Sequence, residues 1–265
     1  MFLNACLNPK TQQYGGYSGV ATYVRKGMTK SVETDVFQDP EFDREGRVLK
    51  TDHGTFILFN VYFPNSSRLD YKLRFHERFS QIVKELLDHG RHVIVAGDMN
   101  IAHTKLDCFK LDYQGPAASP EERRWMDSFL EMGFWDTFRW LNPLKRGAYT
   151  FWDLRTMCRD YNKGWRLDLF LISEGLHKYL KISEILKDTL GSDHCPISME
   201  FNDLFDDLDT VAFPTPREAI NVEKAKQKKI GDFFSKVPAS KSGDSVKAGV
   251  KRKTAVDEDE ERRKK

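Results

Sequence analysis

Several patterns that mark particular classes of protein are scarce or absent in this sequence of 265 residues. Its 4 cysteines are widely spaced and form no Cys-x-x-Cys pair, which argues against a disulfide framework and against a structural zinc site. No segment approaches the roughly 18 to 20 consecutive apolar residues that a membrane-spanning helix needs. The first residues show no basic segment followed by an apolar one, so we expect neither a secretory signal nor membrane association.

The chain also has no large excess of either charge sign, and its formal net charge is +2. That average hides two unlike parts: residues 235–265 hold ten Lys or Arg against six Asp or Glu, and the preceding residues hold 32 against 34. Residues 235–265 also contain no aromatic residue. We therefore predict a folded domain over 1–203, a linker over 204–226, a short motif at 227–234 and a disordered charged tail over 235–265.

The folded part shows both strand and helix patterns. Aromatic and β-branched clusters predict strands at 17–24, 56–62, 92–96, 168–172 and 197–201. Apolar residues at helical spacing predict a helix over 75–86 that Gly90 ends, and Ser119, Pro120 and Glu122 form a capping box that begins a second helix. This mixture predicts an α/β sandwich with one core.

A polar segment, Gly97-Asp98-Met99-Asn100, directly follows the predicted strand at 92–96. A carboxylate and an amide two residues apart at the end of a strand project from one edge of a loop. Asp98 can act as a base or as a cation ligand, and Asn100 can donate to the charge on a phosphate oxygen. Because Gly, Asp and Asn all favour turns, an ordinary turn is the alternative interpretation.

Two further polar groups lie beside predicted strands. Asp193 and His194 precede the strand at 197–201 and can supply a hard oxygen ligand and an imidazole that contacts phosphate. Asp168 begins the strand at 168–172, where a carboxylate needs a partner such as a histidine. The alternatives are a surface turn for the first group and a turn-capping carboxylate for the second.

The three polar groups together indicate a function more strongly than any one of them does alone. All of them are carboxylate, amide or imidazole groups at strand ends, and no cysteine accompanies them. Such a donor set favours a hard cation such as Mg²⁺ over zinc, and phosphoryl chemistry over acyl transfer.

Seven separated blocks of the chain form a pattern in their order and spacing: Gly16–Ala21, Glu45–Val48, Val61–Asn65, Gly97–His103, Tyr149–Trp152, Gly164–Asp168 and Gly191–Pro196. Together they resemble the exonuclease III / AP endonuclease family of DNA repair enzymes, and the resemblance runs from about Gly15 to Phe201. It implies a four-layer α/β sandwich, in which two mainly antiparallel β-sheets face each other with helices outside, as the fold of residues 1–203.

The resemblance implies roles for the polar residues that match the family's motifs. Asp98 would activate or position the attacking water, and Asn100 would bind the developing charge. Asp193 would be a metal ligand, and His194, held by Asp168, would contact the scissile phosphate. The implied cation contacts are Asp98, Asn100, Asp193 and His194, and the implied cofactor is Mg²⁺, with Mn²⁺ as a substitute.

Two further groups of matching residues are implied to bind the substrate. Tyr62, which also counts among the catalytic residues, and Asn65 would complete the phosphate pocket. Phe151, Trp165 and Leu167 would form a pocket for a flipped-out sugar that lacks a base, since an apolar slot admits deoxyribose and excludes a base. Core packing is the alternative for Phe151 and Trp165.

The beginning of the family pattern has no counterpart here. The family starts with a strand that carries an Asn, followed by a strand ending in a Gln-Glu pair whose Glu is a principal metal ligand, and the chain contains no Gln-Glu dipeptide. We expect an N-terminal truncation, with an inactive isoform or a ligand supplied otherwise as the alternatives. One carboxylate fewer weakens a Mg²⁺ site, and missing central strands leave sheet edges unpaired.

The motif at 227–234 resembles the peptide by which replication and repair proteins bind the proliferating-cell sliding clamp. In a short 3₁₀ turn Ile230, Phe233 and Phe234 lie on one side and form an apolar plug, while Gln227 can hydrogen-bond separately. An amphipathic helix end that packs on the core is the alternative.

Two basic clusters, 251–253 and 262–265, are candidate nuclear-import signals or simply solvated tail. With the clamp motif they predict a nuclear protein.

The expected function is a Mg²⁺-dependent phosphodiesterase that cleaves duplex DNA 5′ to abasic sites, with 3′→5′ exonuclease and 3′-phosphodiesterase activity at blocked 3′ ends as further reactions. The alternatives are a truncated form that binds DNA or the clamp without turnover, and a related phosphoesterase with a phosphoinositide substrate. The Phe151 and Trp165 pocket and the clamp motif argue against the phosphoinositide.

Overall fold

The computed structural model describes residues 1–5 and 17–202. All of these residues belong to the first of the two units into which the chain divides, residues 1–215. In this part of the chain no helix has the length and apolar character required to cross a membrane.

A mixed six-stranded sheet forms the centre of the described part. The strands of the described part are β1 (Phe2–Asn4), β2 (Val20–Thr22), β3 (Ser31–Glu33), β4 (Val48–Asp52), β5 (Phe56–Tyr62), β6 (His92–Asp98), β7 (Phe134–Asp136), β8 (Asp168–Ser173), β9 (Leu180–Ile185) and β10 (Ile197–Phe201). The central sheet has the strand order β3-β4-β5-β6-β8-β7, and two antiparallel pairs, β1-β2 and β9-β10, accompany it. Within the six-stranded sheet β5 and β6 run parallel and every other neighbouring pair is antiparallel.

The helices are α1 (Pro40–Asp43), α2 (Leu69–Asp88), α3 (Pro120–Glu131), α4 (Thr137–Leu141) and α5 (Glu174–His177). Residues of α1, α2 and α3 pack on one face of the six-stranded sheet, whereas Leu176 of α5 packs with Ile94 and Ile172 on the other face. Alternate residues of β5, among them Phe59, are buried and pack with Phe75, Phe79 and Phe129 of α2 and α3 in the largest apolar cluster. The predicted capping box at Ser119 is present, with reciprocal hydrogen bonds to Glu122.

The two strand pairs pack on the opposite face. Ile94 and Ile172 of the central sheet form a smaller apolar cluster with partly buried Met199 and Phe201 of β10. Near β2, the side chain of Asn60 donates to the backbone oxygen of Ala21. The six-stranded sheet therefore carries α1, α2 and α3 on one face and the two strand pairs together with α5 on the other.

The α/β class with mainly antiparallel sheets flanked by helices is confirmed. The second sheet is divided into the pairs β1-β2 and β9-β10 among the described residues. The strand predicted at 17–24 is shorter, because Ser18 and Gly19 have φ angles of 48° and 123° and turn the chain before Val20. The linker, clamp motif and tail predicted at 204–265, together with Gln227, Ile230, Phe233 and Phe234, lie outside the described residues.

Candidate active site

Three neighbouring strands bring their polar residues into one row. Tyr62 ends β5 and pairs with Asp98 at the end of β6. Asp98 pairs in turn with Asp168 at the start of antiparallel β8. Directly paired residues on neighbouring strands present their side chains on the same face of a sheet, so the tyrosine and the two aspartates form a continuous polar row.

Gly97, the residue before Asp98 in β6, occupies a position that only glycine fits. Its φ angle is 131°, a value that favours glycine. A Cβ atom at this position would lie 2.1 Å from the backbone oxygen of Val61, a separation that no side chain tolerates. The glycine thus permits the close approach of β5 and β6 that sets Tyr62 beside Asp98.

Asn100 folds back onto Asp98. Its backbone nitrogen donates to one carboxylate oxygen at 2.8 Å, and its side-chain nitrogen donates to the other at 3.1 Å. The same side-chain nitrogen donates to the backbone oxygen of Phe63 at 2.9 Å. The predicted pair of carboxylate and amide is therefore a hydrogen-bonded unit with a fixed orientation, and the alternative of an unspecialised turn does not account for its side-chain contacts.

The environment of Asp98 favours its neutral form. Burial, to which the charge of nearby Asp168 adds, raises the pKa of Asp98 to about 7, although His194 and the Asn100 amide act in the opposite direction. A carboxylate with a pKa near neutrality can accept a proton during a reaction at physiological pH.

His194 is held by Asp168 as the sequence predicts. The imidazole Nδ1 lies 2.7 Å from a carboxylate oxygen of Asp168. Burial alone would lower the pKa of His194, but the hydrogen bond and charge of Asp168, helped by Asp98 and Asp193, raise it to about 8. A protonated imidazole donates to a phosphate oxygen and cannot ligate a cation, so this geometry favours phosphate contact over the predicted metal contact for His194.

Thr150 positions the Asp168 segment and is a residue that the sequence analysis did not single out. Its buried hydroxyl oxygen accepts hydrogen bonds from the backbone nitrogens of Leu167 and Asp168 at 2.9 and 3.0 Å. Its backbone oxygen accepts from Cys195, the neighbour of His194. One threonine therefore links both strand ends that supply the His194 pair, and only its place within a matching block gave a signal for it.

The predicted apolar pocket lies beside the histidine. Phe151, Trp165 and Leu167 belong to one apolar cluster, and backbone bridges connect Phe151 with both Trp165 and His194. The ring centroids of Phe151 and His194 are 4.9 Å apart. Leu167 is buried and packs in the core. Phe151 and Trp165 are only partly buried and adjoin the polar row, so core packing alone does not account for them.

Two further aromatic residues extend this pocket. The rings of Phe109 and Tyr113 meet Trp165 edge-on, with centroid distances of 5.2 and 5.6 Å. The loop that carries them has no strand or helix periodicity, so the sequence gave no signal for this contact.

A second cluster of charged side chains lies behind the pocket. Fully buried Arg166 donates to both carboxylate oxygens of Asp136 and to Asp107, which also accepts from Arg139. Burial alone would raise the pKa of Asp107, but the two guanidinium groups hold it well below its usual range. This cluster fixes the backbone between Trp165 and Leu167.

Two predicted site residues are less closely joined to the row. Asn65 is exposed, and its side-chain oxygen caps a short 3₁₀ turn by accepting from the backbone of Ser67. Asp193 accepts a hydrogen bond from Ser192 at 3.2 Å, and among the described residues no hydrogen bond connects it with Asp98 or Asn100.

The donor set fits a hard cation in one specific way. Within residues 1–5 and 17–202 no group of three or more His, Cys, Asp or Glu side chains is arranged to hold a metal ion. Mg²⁺, however, is commonly bound through one or two carboxylates together with water and substrate phosphates. The carboxylates of the row are oxygen donors of the type that this mode of binding uses.

Comparison with known proteins places this arrangement in context. The model of the endonuclease/exonuclease/phosphatase family matches residues 3–194. Recombination repair protein 1 of Drosophila melanogaster is 42% identical over 194 residues, which are 71% of this chain and 28% of that protein. The exodeoxyribonuclease of Bacillus subtilis is 36% identical over 193 residues, which are 71% of this chain and 75% of that protein.

Further relatives extend these matches. DNA repair nuclease APEX1 of Danio rerio is 38% identical, over 69% of this chain and 60% of that protein. The chain thus spans 28% and 60% of the length of the Drosophila and Danio proteins. Among solved structures, the AP endonuclease LMAP of Leishmania major is similar with a TM-score of 0.53 and 30% identity, covering 59% of this chain and 54% of that one.

Proposed function

The chain belongs to the endonuclease/exonuclease/phosphatase family, and from that premise we propose that it is a Mg²⁺-dependent DNA repair phosphodiesterase that cleaves the backbone 5′ to abasic sites. The observation that carries this proposal is the row of Tyr62, Asp98 and Asp168 with His194 bound to Asp168 at 2.7 Å. Relatives named as AP endonuclease, DNA repair nuclease and exodeoxyribonuclease support the choice of a nucleic-acid phosphodiester over other substrates.

The proposed reaction is the hydrolysis of one phosphodiester bond. Asp98 accepts a proton from water as the water oxygen attacks phosphorus. The bond between phosphorus and the 3′ oxygen breaks, and the leaving oxygen takes up a proton from solvent, which gives a 3′ hydroxyl and a 5′ phosphate. Protonated His194 donates to a non-bridging oxygen, where negative charge develops. Tyr62 adds a donor on the same face, and Asn100 orients the Asp98 carboxylate and would bind the developing charge by exchanging one of its side-chain hydrogen bonds. Asp98, Asn100 and Asp193 would hold a Mg²⁺, which would supply positive charge for the phosphate oxygens.

The neighbouring pocket accounts for the choice of an abasic site. Phe151 and Trp165 offer apolar surface next to His194, with buried Leu167 packed beneath them, which suits a sugar rotated out of the duplex. Extrusion costs least where no base is stacked or paired. Replacing Trp165 with Ala should therefore reduce the preference for an abasic duplex over an undamaged one more than it reduces cleavage itself.

The proposal is tested by incubating the chain with a duplex that carries one abasic site, in the presence of Mg²⁺, Mn²⁺ or EDTA. We expect a nick 5′ to the site with either cation and none in EDTA, and a loss of about 10³-fold in Asp98→Asn. A matched duplex with a 3′-phosphoglycolate end measures the 3′-phosphodiesterase reaction, and an undamaged recessed 3′ end measures the exonuclease reaction. Undiminished nicking by Asp98→Asn would contradict the assignment.

A second candidate is a form that binds DNA without turnover. The arrangement of the described residues, in which no three ligands of the His, Cys, Asp and Glu types converge, favours it. This candidate predicts that a gel-shift assay detects binding of the abasic duplex while no nick forms with any divalent cation. Nicking above the Asp98→Asn background contradicts it.

Recruitment and location complete the proposal. The motif at 227–234 would bind the proliferating-cell sliding clamp through Ile230, Phe233 and Phe234. Replacing both phenylalanines with Ala should abolish capture by immobilised clamp without changing nicking of the free duplex. Retained capture would contradict the motif's role.

The protein would act in the nucleus. Cytoplasmic fluorescence of a tagged full chain would contradict this location.

A further inference from the structure

Lys72 of α2 is a buried cation that contacts the active site from behind. Its side chain has no exposed surface, and it forms an ion pair with Glu122 of α3, which is equally buried. Its Nζ atom also donates a hydrogen bond to the backbone oxygen of Asn100 at 2.7 Å. A long helix, a second helix and the loop after β6 therefore meet at one ammonium group.

Glu122 cannot readily move with Lys72, because other bonds fix it. One of its carboxylate oxygens accepts from the hydroxyl of Ser66 at 2.6 Å, and the other accepts from the backbone nitrogen of Ser119 at 2.9 Å. The hydroxyl of Ser66 accepts in turn from the backbone of Ala117 at 2.7 Å. The residue recognisable in the sequence as half of a capping box is thus also a rigid anchor for the lysine.

The group that Lys72 holds is in an unusual conformation. Asn100 has a φ angle of 50°, in the left-handed region that non-glycine residues seldom adopt. In this conformation its side-chain nitrogen reaches both Asp98 and the backbone oxygen of Phe63. The hydrogen bond from Lys72 fixes the direction of the Asn100 carbonyl, and with it the backbone conformation from which this side chain reaches the carboxylate.

We propose that Lys72 is a positioning residue, whose hydrogen bond to the Asn100 carbonyl holds the Asp98–Asn100 unit in its reactive arrangement. The inference rests on the proposed function, because the unit that is held is the one assigned to phosphodiester hydrolysis. Simple stabilisation of the contact between α2 and α3 does not require this bond, since apolar residues commonly replace a buried ion pair with no loss of stability.

The informative variant removes the hydrogen bond without leaving a buried charge. Lys72→Met alone would strand the carboxylate of Glu122 in the interior and destabilise the protein. Lys72→Met/Glu122→Gln keeps both residues neutral, and the glutamine oxygen can still accept from Ser66 or Ser119. Met126→Ala is the matched control, because Met126 is a buried residue of the same helix α3 that has no hydrogen bond to the loop.

Nicking of the abasic duplex by the full chain, measured with saturating Mg²⁺ at a temperature where each protein is fully folded, separates the two roles. For Lys72→Met/Glu122→Gln we expect kcat to fall about 100-fold, the effect of a small misplacement of reacting groups, with KM nearly unchanged. Met126→Ala should lower the melting temperature and leave kcat at the wild-type value. A wild-type kcat in the double variant would overturn the proposal.

A second measurement does not depend on catalysis. In nitrogen-15 NMR spectra recorded in EDTA, the backbone and side-chain amide signals of Asn100 should shift in Lys72→Met/Glu122→Gln and stay in place in Met126→Ala. Unchanged Asn100 signals in the double variant would overturn the proposal even if activity fell. If the wild-type chain nicks no duplex, the proposed function fails, and these signals alone decide the role of Lys72.

Discussion

Two clusters of similar composition lie close together in this fold and differ in state. Asp98, Asp168 and His194 form one, and Asp107, Asp136, Arg139 and Arg166 form the other, so each has two carboxylates but the second has two permanent cations where the first has one histidine. In the second, Arg166 is fully buried and bonds to both carboxylates, and the pKa of Asp107 is held well below its usual range. In the first, the pKa of Asp98 is raised to about 7 and that of His194 to about 8.

The difference shows how a structural ion cluster is distinguished from a reactive one. Carboxylates whose charge is fully matched by permanent guanidinium groups titrate far from neutrality and only hold the backbone. A carboxylate buried beside another carboxylate, with a single titratable histidine nearby, changes protonation near neutral pH and can take part in proton transfer. Four predictions test this contrast.

The largest expected effect concerns catalysis by the reactive cluster. His194→Ala should lower kcat for the abasic duplex by about 10³-fold, because it removes the donor to the developing phosphate charge. The melting temperature should stay close to that of the wild type, since the imidazole is partly exposed. Steady-state kinetics with calorimetry on the same sample measure both quantities, and a marked fall in stability without loss of kcat would reverse the assignment.

The next effect concerns stability and the structural cluster. Arg166→Met leaves Asp136 buried without a guanidinium partner and Asp107 with Arg139 alone, and it should reduce the free energy of unfolding by about 3 to 5 kcal/mol, measured by urea titration. Replacing both aspartates with asparagine in the same protein should restore part of the loss. At temperatures where Arg166→Met is folded, kcat should fall far less than in His194→Ala; an equal fall would remove the distinction between the clusters.

A smaller effect is expected for the hydrogen bond inside the reactive cluster. Asp168→Asn should lower kcat by about 10- to 100-fold, as loss of a carboxylate that orients a histidine does. The pKa of His194, followed by NMR in EDTA, should fall from about 8 towards its ordinary value near 6.5. Because the folded-state pKa is raised, the stability from this pair is fully present below about pH 6.5 and is lost as pH rises through about 8. An unchanged His194 titration would contradict the role of Asp168.

The smallest effect comes from a histidine that belongs to neither cluster. His76 of α2 is fully buried and stacks on Trp125 with a centroid distance of 4.2 Å, and neither of its ring nitrogens has a hydrogen-bond partner among the residues that the structure describes. Burial, together with the charge of Lys72, lowers its pKa well below 6.5. As pH falls, this histidine is protonated at a higher pH in the unfolded chain than in the folded protein. The free energy of unfolding should therefore decrease below about pH 6.5, by up to ~1.4 kcal/mol per pH unit.

His76→Phe is the matched variant for this effect, because it retains a ring and removes the titration. Urea unfolding between pH 5 and 7 should then show a shallower decline than in the wild type. An identical slope in both proteins would mean that other groups set the pH dependence.

Much of the fold could be read from local patterns. The strand at 56–62, the strand at 197–201 and the helix that starts after Ser119 have the predicted bounds or caps, because alternation, helical spacing and capping chemistry act over a few residues. The strand at 17–24 was overestimated, since the turn at Ser18 and Gly19 has no strong local signal. The pairing order β5-β6-β8 could not be read from local spacing.

Some residues of the candidate site could likewise be identified from the sequence, and others only from the structure. Asp98, Asn100, Asp168 and His194 were identified from residue types at strand ends and from the family pattern, and the bond between Asp168 and His194 confirms their expected pairing. Thr150 and Phe109 were missed, because a threonine hydroxyl and a loop aromatic have no distinctive spacing. The metal contacts and the role of Asn65 stay predictions.

The sequence by itself determined which chemical groups are present and where several of the strands and helices lie. Tertiary structure alone decided that Tyr62, Asp98 and Asp168 share one row and that Lys72 of α2 reaches the Asn100 carbonyl across 28 residues of chain. It also decided that Asp98 titrates near neutrality whereas Asp107 does not. The physical reason is that a pKa depends on burial and on charges within a few ångströms, and chain folding sets those distances.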